Sequence, residues 1–218
     1  MDETDNNLAS TEPGKPGTAP DPDRRKILVA ATGVAGGAAL AAVSVPFIAS
    51  MTPSERARAA GAPVSADAMG LEPGAQLTVE WRGQPVWILR RTEAMLKVLD
   101  DPRHLAKLAD PGSAVKTQQP TYARNAYRSV NSEYLVVVAI CTHLGCVPTF
   151  RPDVAPADIG PDWDGGYFCP CHGSKFDLAG RVWRNVPAPT NLVIPAHHYV
   201  DVGGTKVVIG RDTESTAS

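Results

Sequence analysis

CTHLGC (Cys141 to Cys146) and CPCHGS (Cys169 to Ser174) are the two stretches on which the reading of this chain turns. Together they hold all four cysteines and two of the five histidines of the 218 residues. The first offers Cys-x-His, the second Cys-x-x-His, and each carries one cysteine more. Two thiolates and two imidazoles suit an iron–sulfur cluster whose two irons are chemically unequal. The same donors suit a structural zinc ion, and four cysteines also allow three disulfide pairings. Zinc boxes rarely carry an extra cysteine each. A plain disulfide framework leaves unexplained why a histidine accompanies a cysteine in both boxes. Gly145 and Gly173 let the backbone turn tightly near the sulfurs, and Pro170 stiffens the second box. Tyr134 to Ile140 reads as a buried strand running into the first box, and Gly166 to Phe168 leads into the second.

Outward from the boxes, residues 147–168 are rich in Pro, Asp and Gly and read as a loop;. Its Asp153, Asp158, Asp162 and Asp164 read as solvated charge. His104, His197 and His198 have no cysteine near them in sequence and read as surface or strand residues. Upstream, Ala75 to Trp81 and Pro85 to Arg91 suggest strands joined by a turn at Arg82-Gly83-Gln84. Thr92 to Leu99 and Pro102 to Ala109 suggest helices, the second with Asp101 as N-cap and Pro102 first. Downstream, Arg181 to Trp183, Asn191 to Ile194, His198 to Val202 and Thr205 to Ile209 suggest short antiparallel strands, the last two turning at Gly203-Gly204. The expected head, residues 70–211, is therefore mainly β with minor helix. Residues 212–218 form a short tail.

The N-terminal part has a different composition. Residues 1–23 hold six acidic residues, one Lys, four Pro and no aromatic, too little to bury a core, so a disordered tail is expected;. Arg24-Arg25 then precede an apolar run with no charge from Ile27 to Pro53. Its 25 positions to Met51 reach ~37 Å as a helix, enough to cross a bilayer. A twin-Arg pair before such a run reads as a Tat-type export signal, which moves folded proteins. Asp23 and Ile27 depart from its usual Ser/Thr and Phe. Arg24, Arg25 and Lys26 favour a cytoplasmic N-terminus, with the head across the membrane. Cleavage at a small-x-small site such as Ala57-Arg58-Ala59 is the alternative to a retained anchor. Thr52 to Met69 is small and Ala-rich, weakly helical, with Gly61 and Pro63 as breakers. The net charge of −2 gives no basic surface for nucleic acid;.

Over about residues 24–210 the chain resembles the Rieske family that carries a disulfide, in particular the bacterial Rieske subunit of ubiquinol–cytochrome c reductase. Besides the two boxes, the resemblance rests on EWRGQPVWILRRT (Glu80 to Thr92), similar to that family's early hairpin. It also rests on Val186-Pro187-Ala188-Pro189, similar to its proline loop, although Val186 stands where Gly is usual. The resemblance implies an antiparallel β head with an inserted cluster-binding part, about residues 137–190, and one N-terminal transmembrane helix over residues 24–51. It implies one 2Fe–2S cluster held by Cys141, His143, Cys169 and His172, with Cys146 and Cys171 joined as a disulfide. It places the Ser174 hydroxyl on a bridging sulfide, Leu144 at the exposed tip against a quinol pocket, and residues 52–69 in a hinge on which the head swings. Many members have Tyr where this chain has Phe176, so a lower potential is expected here than in those relatives.

The function implied is that of an electron-transfer subunit, inactive alone, in a respiratory enzyme of the inner membrane with its head in the periplasm. The cluster takes one electron from ubiquinol, while a ligand imidazole, His172 or His143, takes a proton; the family favours His172. A cytochrome b subunit takes the second electron, and a membrane c-type cytochrome receives the first. Membrane lipid and a dimeric complex complete the implied partners. A different exported oxidoreductase, such as arsenite oxidase, has a Rieske small subunit and is the alternative. Rieske oxygenases and their ferredoxins generally lack counterparts of Cys146 and Cys171.

Overall fold

The structure, a computed structural model, describes residues 21–54, 61–201 and 203–212. The chain divides into two units, residues 1–53 and 54–218. Among its described residues the first contains one helix, α1 (Pro22–Ser50), 29 residues long and about 44 Å at ~1.5 Å per residue;. It starts earlier than expected because Asp21 caps it, accepting from the N–H of Asp23, and Pro22 takes the first position, where no N–H is needed;. It runs unbroken through Pro46, and it is apolar and long enough to span a membrane. Residues 1–20 of the expected tail, residues 213–218 and the candidate cleavage site Ala57-Arg58-Ala59 lie outside the described residues.

The second unit stacks three antiparallel sheets of three strands each. The strands are β1 (Val64–Asp67), β2 (Gln76–Trp81), β3 (Gln84–Arg90), β4 (Tyr134–Val138), β5 (Thr149–Arg151), β6 (Gly166–Cys169), β7 (Ser174–Phe176), β8 (His197–Tyr199) and β9 (Lys206–Ile209). The sheets are β1-β9-β8, β2-β3-β4 and β5-β6-β7. The middle sheet explains the uniform apolar run before the first box. Trp87, Leu89, Leu135 and Val137 point into a core shared with Tyr167, Phe176, Cys141 and Cys169. Their neighbours Val86, Ile88, Tyr134, Val136 and Val138 point the other way, onto Ala66, Val207 and Ile209. A strand covered on both faces has no polar side to show.

Several expectations are corrected by the hydrogen bonding. Residues 64–67, expected in the hinge, form β1 and pair with β9 from Val64↔Ile209 to Asp67↔Lys206, so the head begins before Gly70. The early hairpin turns on two residues, Arg82 and Gly83, since Trp81 pairs with Gln84. Both have positive φ, 55° and 71°, the backbone that two-residue hairpins need;. Helix α2 (Glu93–Leu99) follows its N-cap Thr92, and α3 (Pro102–Leu105) follows Asp101. The latter stops four residues short of Ala109, whose N–H goes instead to Val182 O. Of Arg181 to Trp183 only isolated antiparallel bridges form, Val182 with Phe176 and Trp183 with Leu108, and Asn191 to Ile194 form no strand. Asp177 Oδ1 takes the N–H of Arg181, Asn191 Oδ1 takes that of Val182, and Leu192 and Ile194 bond to Gly180 O and Gln118 O. The last hairpin turns through Gly203 and Gly204 as expected, the Gly204 N–H donating to Asp201 O, and the Asp201 carboxylate reinforces it by accepting from Thr205 and Lys206.

Candidate metal centre

The two boxes fold alike. In each, a glycine in the left-handed region (Gly145 φ 83°, Gly173 φ 75°) donates its N–H back to the carbonyl of the first cysteine, at 3.0 Å for Cys141 and 2.9 Å for Cys169. A side chain with a Cβ is strained in that backbone, which is why glycine stands at the fifth position of both. The first loop is pinned at the end of β4; the second lies at the tip of the β6–β7 hairpin, where Cys169 pairs with Ser174.

Cys146 and Cys171 are joined in a disulfide that clamps one loop to the other, with their Cα atoms 6.7 Å apart. Cys141 and Cys169 are not bridged and are buried, 2% exposed each. Burial pushes the Cys169 thiol up; the Cys171 N–H partly offsets this and the neighbouring Cys141 thiol adds to it. A cation placed between two such thiols removes the obstacle to ionisation. Cys146, Cys169 and Cys171 offer sulfurs within 4.8 Å of one another, but two of these are spent on the disulfide and are not thiolates. The rings of His143 and His172 lie 4.8 Å apart and at 89°, at the rim where His172 is exposed and His143 half-buried. Two buried thiols and two rim imidazoles on these clamped loops make a mixed donor set that fits a 2Fe–2S group with unequal irons;.

The surroundings reinforce both loops. Ser174 Oγ accepts from the N–H of Ala188 at 3.1 Å, leaving its own hydrogen free to donate. Thr142 Oγ1 donates to Thr190 O at 2.7 Å. The segment 186–190 is thus tied to both boxes. Its turn is made by Asn185 at φ 58°, and Val186 takes no left-handed backbone. Leu144 is 71% exposed at the tip. Ser174 and Phe176 share the inner face of β7, and Phe176 is fully buried.

The loop between the boxes is less solvated than its composition suggests. Arg151 binds Asp153 and Asp158, Trp163 is buried, and Asp164 binds Lys107 and His104. His104 itself is buried, 2% exposed, contrary to the surface reading. His197 and His198 do lie on a strand, β8. Three buried arginines, Arg91, Arg128 and Arg181, converge on residues 177–181 just beyond the second box. Arg91 bonds Leu178 O, Arg128 bonds Ala179 O and Gly180 O, and Arg181 bonds Asp177. Nothing in the local sequence marks these arginines as buried, because the carbonyls that hold them come from distant segments.

Two family models match the chain. "Rieske [2Fe-2S] domain" covers residues 63–197, and "Ubiquitinol-cytochrome C reductase Fe-S subunit TAT signal" covers residues 15–54. The ubiquinol-cytochrome c reductase iron-sulfur subunit of Allochromatium vinosum is 58% identical over 194 residues, 88% of this chain and 90% of that one. Its namesake from Blastochloris viridis is 42% identical over 187 residues, 86% and 92% of the two chains. That from Bradyrhizobium diazoefficiens is 40% identical over 195 residues, 88% and 97%. A signal match over an apolar helix of spanning length makes this a membrane-anchored protein. The β-sheet head with its paired boxes and the N-terminal signal agree, and the chain belongs to the family of ubiquinol–cytochrome c reductase iron–sulfur subunits, with a Rieske 2Fe–2S domain.

Proposed function

We propose that Cys141 and Cys169 hold one iron of the 2Fe–2S cluster and His143 and His172 the other, and that the chain serves quinol oxidation in a cytochrome bc complex. The single observation that carries this reading is the pairing of two buried, unbridged cysteines with two perpendicular rim imidazoles across a disulfide-clamped pair of loops. When bound, the cluster supplies a one-electron acceptor whose potential is raised because imidazoles carry less negative charge than thiolates. His172, the more exposed of the two rings, presents its outer nitrogen to the quinol hydroxyl and takes up the proton, with His143 beside it. Leu144, projecting from the same tip, packs against the quinol pocket of the cytochrome b subunit. Ser174, whose Oγ accepts from the Ala188 N–H, has its hydroxyl hydrogen left to donate and would favour the reduced form of the bound cluster;.

In the same reading α1 is a retained anchor of the inner membrane with its N-terminus cytoplasmic and the head periplasmic. The head carries its electron to a membrane c-type cytochrome; residues 55–60 of the hinge expected over 52–69 lie outside the described residues. Ubiquinol is the donor, and the complex is dimeric. The names borne by the relatives favour this reading over arsenite oxidase. The test is EPR of the reduced protein as a function of potential and pH. A rhombic, low-g signal whose midpoint falls as pH rises through the histidine range is expected. A protein that binds stoichiometric zinc under iron-replete conditions and shows no such signal would refute the ligand assignment.

A further inference from the structure

The hairpin that carries the second box is closed at its base by one histidine. Asp164 precedes β6 by two residues and Asp177 directly follows β7, so the segment from Gly166 to Phe176 lies between these two carboxylates. The ring of His104, brought in on α3, sits between them. Its Nδ1 is 2.8 Å from Asp164 Oδ2, and its Nε2 is 3.2 Å from Asp177 Oδ2. A neutral imidazole has one N–H and would turn a bare lone pair towards one carboxylate; only the imidazolium donates at both. Burial works against that charge, but the bonds and charges of Asp177 and Asp164 outweigh it and hold His104 above its ordinary value;.

The other charges around the ring are committed. Asp177 also accepts from Arg181 Nε at 2.7 Å and from the N–H groups of Ala179 and Arg181. Asp164 also accepts from Lys107 Nζ at 2.6 Å, and Lys107 is held in turn by the carbonyl of Asp162. Arg103, next to the ring on α3, is paired with Asp101. Trp183 meets the ring edge-on at 6.4 Å, with Lys107 and Lys175 over its own faces. Burial would raise both carboxylates. Lys107 and His104 for Asp164, and Arg181 and His104 for Asp177, outweigh it and hold both below the usual carboxylate range. Both therefore stay ionised near neutral pH and above, so of the three linked side chains it is His104 that can lose its charge as pH rises. A cleft lined by Val98, Asp101, Arg103, Lys107, Asp162 and Asp164 opens the ring's surroundings to water.

We propose that His104 is a positioning residue for the second cluster box, closing the base of the β6–β7 hairpin as an imidazolium and slackening it on losing its proton. This rests on the ligand assignment above, because Cys169 and His172 are what the hairpin positions. A histidine that holds its proton more tightly when folded contributes stability in full below about pH 6.5, its unfolded value. It loses that contribution as pH rises through the higher folded value.

The test uses the full-length, detergent-solubilised chain with its cluster. The rate of cluster loss, followed by the EPR signal of reduced aliquots, is measured from about pH 6 to about pH 10, a window that brackets the histidine range. For the wild type a severalfold rise in rate across the alkaline side is expected. In His104→Gln the rate should be high at every pH and that step absent. A variant that loses cluster at the wild-type rate, or faster with the same step, overturns the proposal. Should His104→Gln fail to fold, Asp164→Asn decides, because Asp164 is the solvent-facing end of the link. It should speed cluster loss and move the step to lower pH, and an unchanged profile overturns the proposal. A wild type without a cluster signal would refute the ligand assignment separately. Nitrogen NMR of the histidine-labelled chain still tests the link, since a His104 ring with one proton at neutral pH overturns it.

Discussion

Replacing both Cys146 and Cys171 by serine removes the covalent link between the two cluster loops and nothing else from the chain. The linked residues are 25 positions apart. Closing a loop of that length takes roughly 12 cal/mol/K from the unfolded chain, about 3.5 kcal/mol near room temperature. That is a large share of the roughly 5–15 kcal/mol by which a domain is stable, and it corresponds to several hundredfold in unfolded population. The measurement is guanidinium unfolding of matched chains without iron, so that metal release does not distort a two-state treatment. With a slope of about 4 kcal/mol/M for a domain of this size, the midpoint should fall by about 0.9 M. A shift below about 0.2 M would refute the reasoning. It would mean that Thr142 to Thr190 and Ser174 to Ala188 already hold the loops, or that the unfolded chain keeps them together;.

Three further outcomes are expected. Phe176→Tyr places a hydroxyl on the inner face of β7, beside the buried sulfurs, and should raise the midpoint potential in EPR titration; an unchanged or lower value refutes the donor argument;. Gly166→Ala would drive a Cβ into Phe176 O at φ 149°, so β6 and β7 must part; about 3 kcal/mol of stability and most of the bound iron should be lost, read by thermal unfolding and iron content;. Leu144→Asp alters a side chain 71% exposed, so the melting temperature should hold, since exposed substitutions usually stay within about 0.5 kcal/mol, while quinol turnover of the assembled complex falls severalfold;.

The cluster boxes are legible because their chemistry is local. Candidate ligands two or three apart, a glycine at the fifth position and a proline between two cysteines are all written within six residues. The buried strand before the first box is legible for a similar reason, as a run without polar relief. Helix α1 shows itself by length and composition, but it starts two residues before the expected position, because the Asp21 cap and Pro22 lie in a stretch whose composition reads as tail. Strand β1 is not legible, because VSAD has no strong strand character and is ordered only by pairing with β9, some 140 residues away. At Arg181 to Trp183 propensity is met only by isolated bridges, because side-chain oxygens of Asp177 and Asn191 take the N–H groups of Arg181 and Val182.

By itself the sequence determined which atoms could hold iron, that the chain carries a span and a twin-Arg pair, and that the head is built mainly of strands. Only the tertiary structure decided which cysteines are bridged and which are free. It also decided that His104 reaches across 60 and 73 positions to Asp164 and Asp177, and that three arginines are buried behind the second box. The physical reason is range. Donor spacing, helix caps and hydrophobic runs act within one turn or one strand, so their signal is contiguous. Charge pairing in a core is set by which layers stack, and its partners share no period in the chain.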